Sequence, residues 1–163
     1  MRFIDLADYA DKPEVDRQSA ALTRSLAAFA IANAADISVD LAATSVTDGY
    51  NDNGLDAIYY SADDRTLYLC QSKWSNDGSG SIDLAGAEKF IRGVKDILSL
   101  RLDRFNDHIS KRKAAIEDAI NHTTRVQIIV VYSGSDRLGD HPKRVLGDLL
   151  AELTNTPTLY VTY

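Results

Sequence analysis

The sequence has few of the features that mark exported or membrane proteins. It contains one cysteine, Cys70, so no internal disulfide can form, which favours a reducing compartment. No apolar stretch approaches the roughly 18 residues needed to span a bilayer. The first residues, 1–5, also lack the apolar segment of a signal peptide. These absences predict a cytoplasmic protein with no membrane partner.

Positive charge is scarce overall but is unevenly placed. The formal net charge is −6, which taken alone argues against a nucleic-acid partner. Residues 1–80 carry 13 acids and 6 bases, whereas the segment 89–113 carries 8 bases and 3 acids. An acidic half suited to cations beside a basic segment is compatible with a metal-dependent phosphodiesterase. A solvated basic helix face explains the same segment equally well.

The length of the chain suits one domain. Its 163 residues are 45% hydrophobic, which is enough for a single proper core. We therefore expect residues 1–163 to form one domain. The chain stops on a predicted strand, which suggests either the N-terminal part of a longer protein with further domains or pairing with a second subunit in a homodimer.

The apolar pattern predicts alternating helices and strands. Val15, Leu22 and Phe29 recur at helical spacing and predict a first helix over 12–35, with Asp11 as its cap. Residues 37–47 fit either a short strand or a helical turn. The later predicted helices are 84–102, 105–120 and 142–153, and the predicted strands are 55–60, 66–73, 126–132 and 158–163.

This order of elements predicts an α/β fold with a mixed β-sheet flanked by helices in a three-layer arrangement. The turn-forming residues 61–65 join two strands closely enough to make them antiparallel neighbours. The segment 126–132 is almost wholly apolar, as is typical of a central strand covered on both faces.

Three polar residues on the predicted hairpin are candidates for a catalytic site. Strand alternation points Gln71 and Lys73 to the same face, and hairpin pairing places Asp56 roughly opposite 70–71. The oxygens of Asp56 and Gln71 are hard ligands that suit Mg²⁺ or Mn²⁺. The Lys73 ammonium can orient a metal-activated water and neutralise developing phosphorane charge. The pattern therefore predicts metal-assisted phosphodiester hydrolysis.

The runs 48–59 and 67–74 together resemble the PD-(D/E)XK nuclease motif. More narrowly, they resemble the nuclease domain of abortive-infection phage-resistance proteins and the Mrr-like restriction endonucleases, in which Gln replaces the usual Glu. The resemblance covers about residues 14–135. It implies a restriction-endonuclease-like αβββαβ core and a Mg²⁺-dependent endonuclease that cleaves DNA in restriction or anti-phage defence. Asp56, Gln71 and Lys73 match the motif residues, and RNA stays open as a substrate.

Several other polar residues have two interpretations each. Asp48 fits a turn former, and Asp52 fits either a turn former or a residue near a second metal. Glu14 and Asp16 are candidates for an acid contributed by the first helix, although Glu14 also fits a capping role.

The second half of the chain carries two groups of basic residues. Lys89, Arg92 and Lys95 share one helix face, and we expect them to contact phosphate. The run 111–113 fits a solvated surface segment. The rival to the nuclease hypothesis is a catalytically inactive module that keeps the fold and binds nucleic acid or a partner protein.

Overall fold

A computed structural model describes residues 4–134 and 137–154, together with the backbone of 160–162. Helix α1 spans Glu14–Ala35 and helix α2 spans Val39–Ala43. The remaining elements are strands β1 (Ala57–Ser61) and β2 (Thr66–Lys73), helices α3 (Leu84–Leu98), α4 (Asp107–Ser110) and α5 (Lys113–His122), strand β3 (Arg125–Tyr132), helix α6 (Asp140–Thr154) and strand β4 (Tyr160–Thr162). Single 3₁₀ turns lie at Ala7–Tyr9 and Leu102–Arg104.

The four strands form one mixed sheet in the order β1-β2-β3-β4. Strands β1 and β2 are antiparallel, whereas β3 runs parallel to both β2 and β4. The α/β class, the hairpin and the inner position of β3 are as predicted. In the hairpin Ala57 pairs with Cys70, and the amide of Asp56 also donates to the carbonyl oxygen of Cys70 at 2.9 Å, so Asp56 lies roughly opposite 70–71, as the strand pattern predicted.

Helices cover both faces of the sheet, and strand β2 supplies side chains to each core. Leu67 and Leu69 pack with apolar residues of α3, α5 and α6. Tyr68 and Cys70 pack on the other face, with α1 and α2. Cys70 is fully buried in this second core. No helix among the described residues is long and apolar enough to cross a membrane.

The start of α1 differs from the prediction in one detail. Asp11 does not cap the helix, because Pro13 occupies the cap position and no side chain accepts a hydrogen bond there. The backbone carbonyl of Pro13 accepts from the amides of Asp16 and Arg17 instead. Residues 37–47 take the helical alternative, since Ser38 caps the short helix α2, and Val46 makes only an isolated bridge to Ala57.

The predicted single helix over 105–120 was wrong. Two helices, α4 and α5, take its place, and Arg112 lies between them with a non-helical backbone. Its half-buried guanidinium donates to the carbonyl oxygens of Ser45 at 3.2 Å and Ile58 at 2.9 Å. The run 111–113 is therefore not a solvated segment throughout, because Arg112 turns inwards to bind the backbone oxygens of Ser45 and Ile58.

Candidate metal centre

The loop that leads into β1, residues 48–56, is held tightly against helix α3. Asn51, Asn53 and Gly54 all have positive φ values, so the loop is a compact turn. A Cβ added at Gly54 would lie 2.8 Å from the backbone nitrogen of Phe90, and one added at Gly93 would overlap the carbonyl oxygen of Asn53. Backbone therefore packs on backbone, which fixes the path of the loop's main chain against α3.

Three carboxylates converge on this loop. Asp48, Asp52 and Asp56 each offer an oxygen within 4.8 Å of the others, the only such group of three found among the described residues. Asp52 and Asp56 are both 6% exposed. Asp48 is half-buried, and three acids at this separation repel one another unless cations or hydrogen-bond donors compensate them.

Each carboxylate has a different partner from the chain itself. Asp48 Oδ2 accepts from Arg24 Nε at 2.9 Å, and Asp52 Oδ1 accepts from Lys89 Nζ at 2.7 Å. Asp56 Oδ2 accepts from the backbone nitrogen of Ser72 at 2.6 Å and from its hydroxyl at 3.1 Å. Asp56 is thus the one member of the cluster that has no cationic partner among the described residues.

The second oxygens of two of these acids remain open. Asp48 Oδ1 and Asp56 Oδ1 accept no hydrogen bond from any residue that the structure describes, whereas both oxygens of Asp52 are engaged. Asp52 Oδ1 also accepts from the Gly54 amide at 2.8 Å, which confirms its interpretation as a turn former.

Burial dominates the electrostatics of the cluster. Desolvation raises the pKa of Asp56 well above its ordinary value, and the negative charge of Asp48 raises it further, against the opposing hydrogen bonds from Ser72. Desolvation also raises the pKa of Asp48, against the bond from Arg24. The ionised cluster is therefore short of positive charge, which is the condition that a bound cation relieves.

Gln71 lies beside this cluster in the sheet and has one unsatisfied atom. Its Nε2 donates to the carbonyl oxygen of Gly86, at the start of α3, at 3.2 Å. Its Oε1 is buried and has no hydrogen-bond partner, the only such side-chain atom in the described part of the chain. An unpaired buried carbonyl oxygen is costly, and the lack of a partner leaves this atom available to a ligand.

Lys73 ends strand β2, and its side chain is exposed. Strand alternation places it on the same face as Gln71, two residues further along. The structure thus sets Asp56 and Gln71 at adjacent positions across two strands, with Lys73 at the solvent edge. The catalytic roles of these three residues stay predictions.

Two important residues were not recognised in the sequence. Arg24 is 1% exposed on α1 and binds both Asp8, at 2.7 Å, and Asp48. Asp48, interpreted as a turn former, is instead a half-buried member of the acidic cluster. The sequence pattern could have indicated that Arg24 is buried, because it falls in register with Ala20, Ala27 and Ile31 on the buried face of α1.

The two acids proposed from the first helix do not reach the centre. Glu14 is exposed and pairs with Arg17 at 3.4 Å and with Gln18 at 3.0 Å. Asp16 is also exposed, and neither belongs to the carboxylate group. Both lie in the first turn of α1, whereas the buried contact to the centre comes from Arg24, further along the helix.

The three basic residues predicted to contact phosphate have separate environments. Lys89 binds Asp52, Arg92 Nε donates to Asn53 Oδ1 at 3.2 Å, and Lys95 pairs with Glu152 of α6 at 2.6 Å. Lys89 and Arg92 line a cleft of about 510 Å³ that reaches Asp48, but Lys95 does not. The cleft is lined by Tyr9, Asp48, Gly49, Tyr50, Asn51, Asn53, Lys89, Arg92 and Arg104.

Comparisons with protein-family models, with curated proteins and with solved structures each found no match. The function of the centre must therefore be argued from its geometry.

Proposed function

We propose that this chain is a metal-dependent endonuclease domain of the PD-(D/E)XK type that cleaves DNA, with a role in restriction or anti-phage defence. The observation that carries the proposal is the group of three carboxylates at the start of β1, two of them buried, together with the unpaired Oε1 of Gln71 on the neighbouring strand β2. The defence role rests on the resemblance to abortive-infection proteins and Mrr-like endonucleases alone.

The donor atoms at the centre suit Mg²⁺ or Mn²⁺. All of them are hard oxygens, from carboxylates and one amide, and no sulfur or imidazole is among them. Asp56 and Gln71 would hold the ion, with Asp48 as a further ligand. The amide of Gln71 also explains its departure from the usual Glu, because Nε2 anchors the side chain on Gly86 and leaves Oε1 for the metal. A Glu could not donate that hydrogen bond.

The arrangement of strands supports the same family. Helix α1 is followed by the bridge at Val46, which is antiparallel to β1, then by β1 and β2, and a helical crossover leads to the parallel strand β3. This is the order and direction expected of an αβββαβ core. The carboxylates and Gln71 lie where β1 begins and β2 ends, at one edge of that core.

The chain's own residues would divide the chemistry between them. A bound divalent ion supplies Lewis acidity to the phosphoryl group and lowers the pKa of water. Ser72 and Arg24 fix the orientation of Asp56 and Asp48. The Lys73 ammonium, exposed at the end of β2, would orient the attacking water and offset charge on the phosphorane.

The test is cleavage of plasmid DNA by the purified protein with Mg²⁺ or Mn²⁺. We expect nicking by the wild type and a loss of at least about a hundredfold in Asp56→Ala and Lys73→Ala, the scale seen when one electrostatic group is removed from an active site. Asp40→Ala and Lys12→Ala are matched controls, because both residues are exposed. Equal cleavage by the wild type and both site variants would contradict the proposal, and RNA in a parallel assay identifies the substrate.

A second candidate, a catalytically inactive module that binds nucleic acid or a partner protein, is favoured by one observation. Arg24 and Lys89 already supply positive charge to Asp48 and Asp52, so the fold partly compensates its own acids. Calorimetry separates the two candidates. Heat of Mn²⁺ binding that disappears in Asp56→Asn supports the nuclease, whereas metal-independent DNA binding without such heat supports the module.

A further inference from the structure

The cleft beside the carboxylates contains one arginine without an acidic partner. Arg92 Nε is held by Asn53 Oδ1, and no carboxylate among the described residues lies within ion-pair distance of its guanidinium. The other two bases of the cleft are compensated, since Lys89 binds Asp52 and Arg104 binds Asp96 at 2.9 Å. The bond through Nε leaves both terminal nitrogens of Arg92 open, and these form the fork that binds phosphate bidentately.

The same cleft carries an exposed aromatic side chain. Tyr50 is 89% exposed, although it lies on the loop between the half-buried Asp48 and the buried Asp52. The ring makes no hydrogen bond or ring contact with the described part of the chain. A free aromatic face beside a phosphate-binding group offers a platform on which a nucleobase can stack.

The spacing of these two groups is fixed by the packing of the loop on helix α3. Gly93, next to Arg92 in the sequence, lies against the backbone of Asn53, and Asn53 in turn holds the Arg92 side chain. Tyr50 projects from the same turn. The volume of about 510 Å³ falls within the range of about 300–1,000 Å³ usual for ligand clefts.

We propose that this cleft binds an unpaired strand of DNA, with a phosphate on the Arg92 guanidinium and a base stacked on Tyr50. This inference rests on the proposed nuclease function, which it narrows to single-stranded or locally unpaired substrates. In a duplex the bases are stacked on one another within the helix and present only their edges, so Tyr50 finds no free base face. Asp48 lines the cleft, so the strand would lead directly to the carboxylates.

The experiment measures fluorescence anisotropy of labelled oligo(dT) and of a blunt duplex, in EDTA so that binding is separate from cleavage. We expect tighter binding of oligo(dT). Tyr50→Ala should weaken that binding about tenfold, which is the scale of one base–aromatic stack, and leave duplex binding unchanged. Tyr50→Phe should bind like the wild type, because it keeps the ring. Arg92→Ala should weaken binding of both probes and reduce the salt slope by about one.

Phe29→Ala and Arg144→Ala are the matched controls, since these exposed residues lie outside the cleft. The inference is overturned if neither probe binds, if Tyr50→Ala weakens both probes equally or neither, or if the controls lose as much affinity. If the protein cleaves duplex DNA as readily as single-stranded DNA, this inference is overturned and the nuclease proposal still stands. Binding through Tyr50 and Arg92 without any metal-dependent cleavage contradicts the nuclease proposal instead.

Discussion

At the scale of single residues, the centre is governed by how each buried carboxylate is compensated. Asp48 and Asp52 have cationic partners, whereas Asp56 has only the backbone and hydroxyl of Ser72. A buried charge that is stabilised by hydrogen bonds alone destabilises the fold. Such a residue is retained where its charge is needed for binding or chemistry. We therefore expect the charge of Asp56 to lower the stability of the fold and to be required for function.

We expect Asp56→Asn to raise the free energy of unfolding of the metal-free protein by about 1–3 kcal/mol at neutral pH, the scale of an uncompensated buried polar group. The amide oxygen of Asn can still accept from Ser72. The pKa of Asp56 is raised in the folded state, chiefly by burial, so folding favours its protonated form. Its destabilising effect is therefore absent below the unfolded carboxyl pKa and grows as pH rises towards the folded value.

Urea denaturation in EDTA across a pH series measures this effect. The gain in Asp56→Asn should shrink as the pH falls towards the ordinary carboxyl range. Asp40→Asn provides the control, because Asp40 is an exposed acid on α2. A destabilised Asp56→Asn protein, or a gain that does not depend on pH, would contradict the account of Asp56 as an undercompensated charge.

At the scale of elements, helix α3 and the acidic loop form one unit because two glycines let their backbones touch. Gly93 on α3 faces the carbonyl of Asn53, and Gly54 on the loop faces the backbone of Phe90. A side chain at either position must push the loop away from the helix, since neither opposing atom is at the end of a flexible side chain. The geometry of the centre therefore depends on residues that make no contact with a metal.

Gly93→Ala should lower stability by about 1–3 kcal/mol, the usual cost of overpacking, and should weaken Mn²⁺ binding. Gly147→Ala is the matched control, because Gly147 lies within α6 and an added Cβ there meets nothing within 4 Å. That control should gain about 0.5–1 kcal/mol through helix propensity. Calorimetry with Mn²⁺ and thermal denaturation would check both. Unchanged metal affinity in Gly93→Ala would show that the loop position does not define the centre.

At the scale of the whole molecule, metal binding should be linked to stability. A ligand that binds only the folded state adds about 2.7 kcal/mol at a concentration one hundred times its Kd. For a chain of 163 residues this corresponds to a rise in Tm of about 5–10 °C. We expect Mg²⁺ or Mn²⁺ to produce such a rise in the wild type, measured by differential scanning fluorimetry.

The same titration in Asp56→Asn should give a smaller rise or none, since a ligand charge is lost. Ca²⁺ at the same concentration separates metal binding from cleavage. An equal rise in the wild type and in Asp56→Asn would mean that the ions act elsewhere on a protein whose net charge is −6.

The sequence by itself determined the types of the long elements, the hairpin and its register. These depend on local patterns: helical spacing in α1 and α3, alternation in β2, and turn residues at 61–65. For the same reason the local pattern places Asp56 roughly opposite residues 70–71, where the structure has it. The break between α4 and α5 was missed because Arg112 is drawn to carbonyls more than fifty residues away.

Only the tertiary structure decided how the charges of the site are partnered. Arg24 binds Asp48, which lies 24 residues away in the sequence, and Lys95 binds Glu152, which lies 57 residues away. Arg24 is therefore part of the centre, whereas Lys95 is held outside it. Likewise, only the structure shows that Gln71 Nε2 donates to the carbonyl oxygen of Gly86 and that Oε1 is left without a partner. Local pattern fixes which face a side chain occupies, but desolvation and long-range contacts decide whether its charge is free to act.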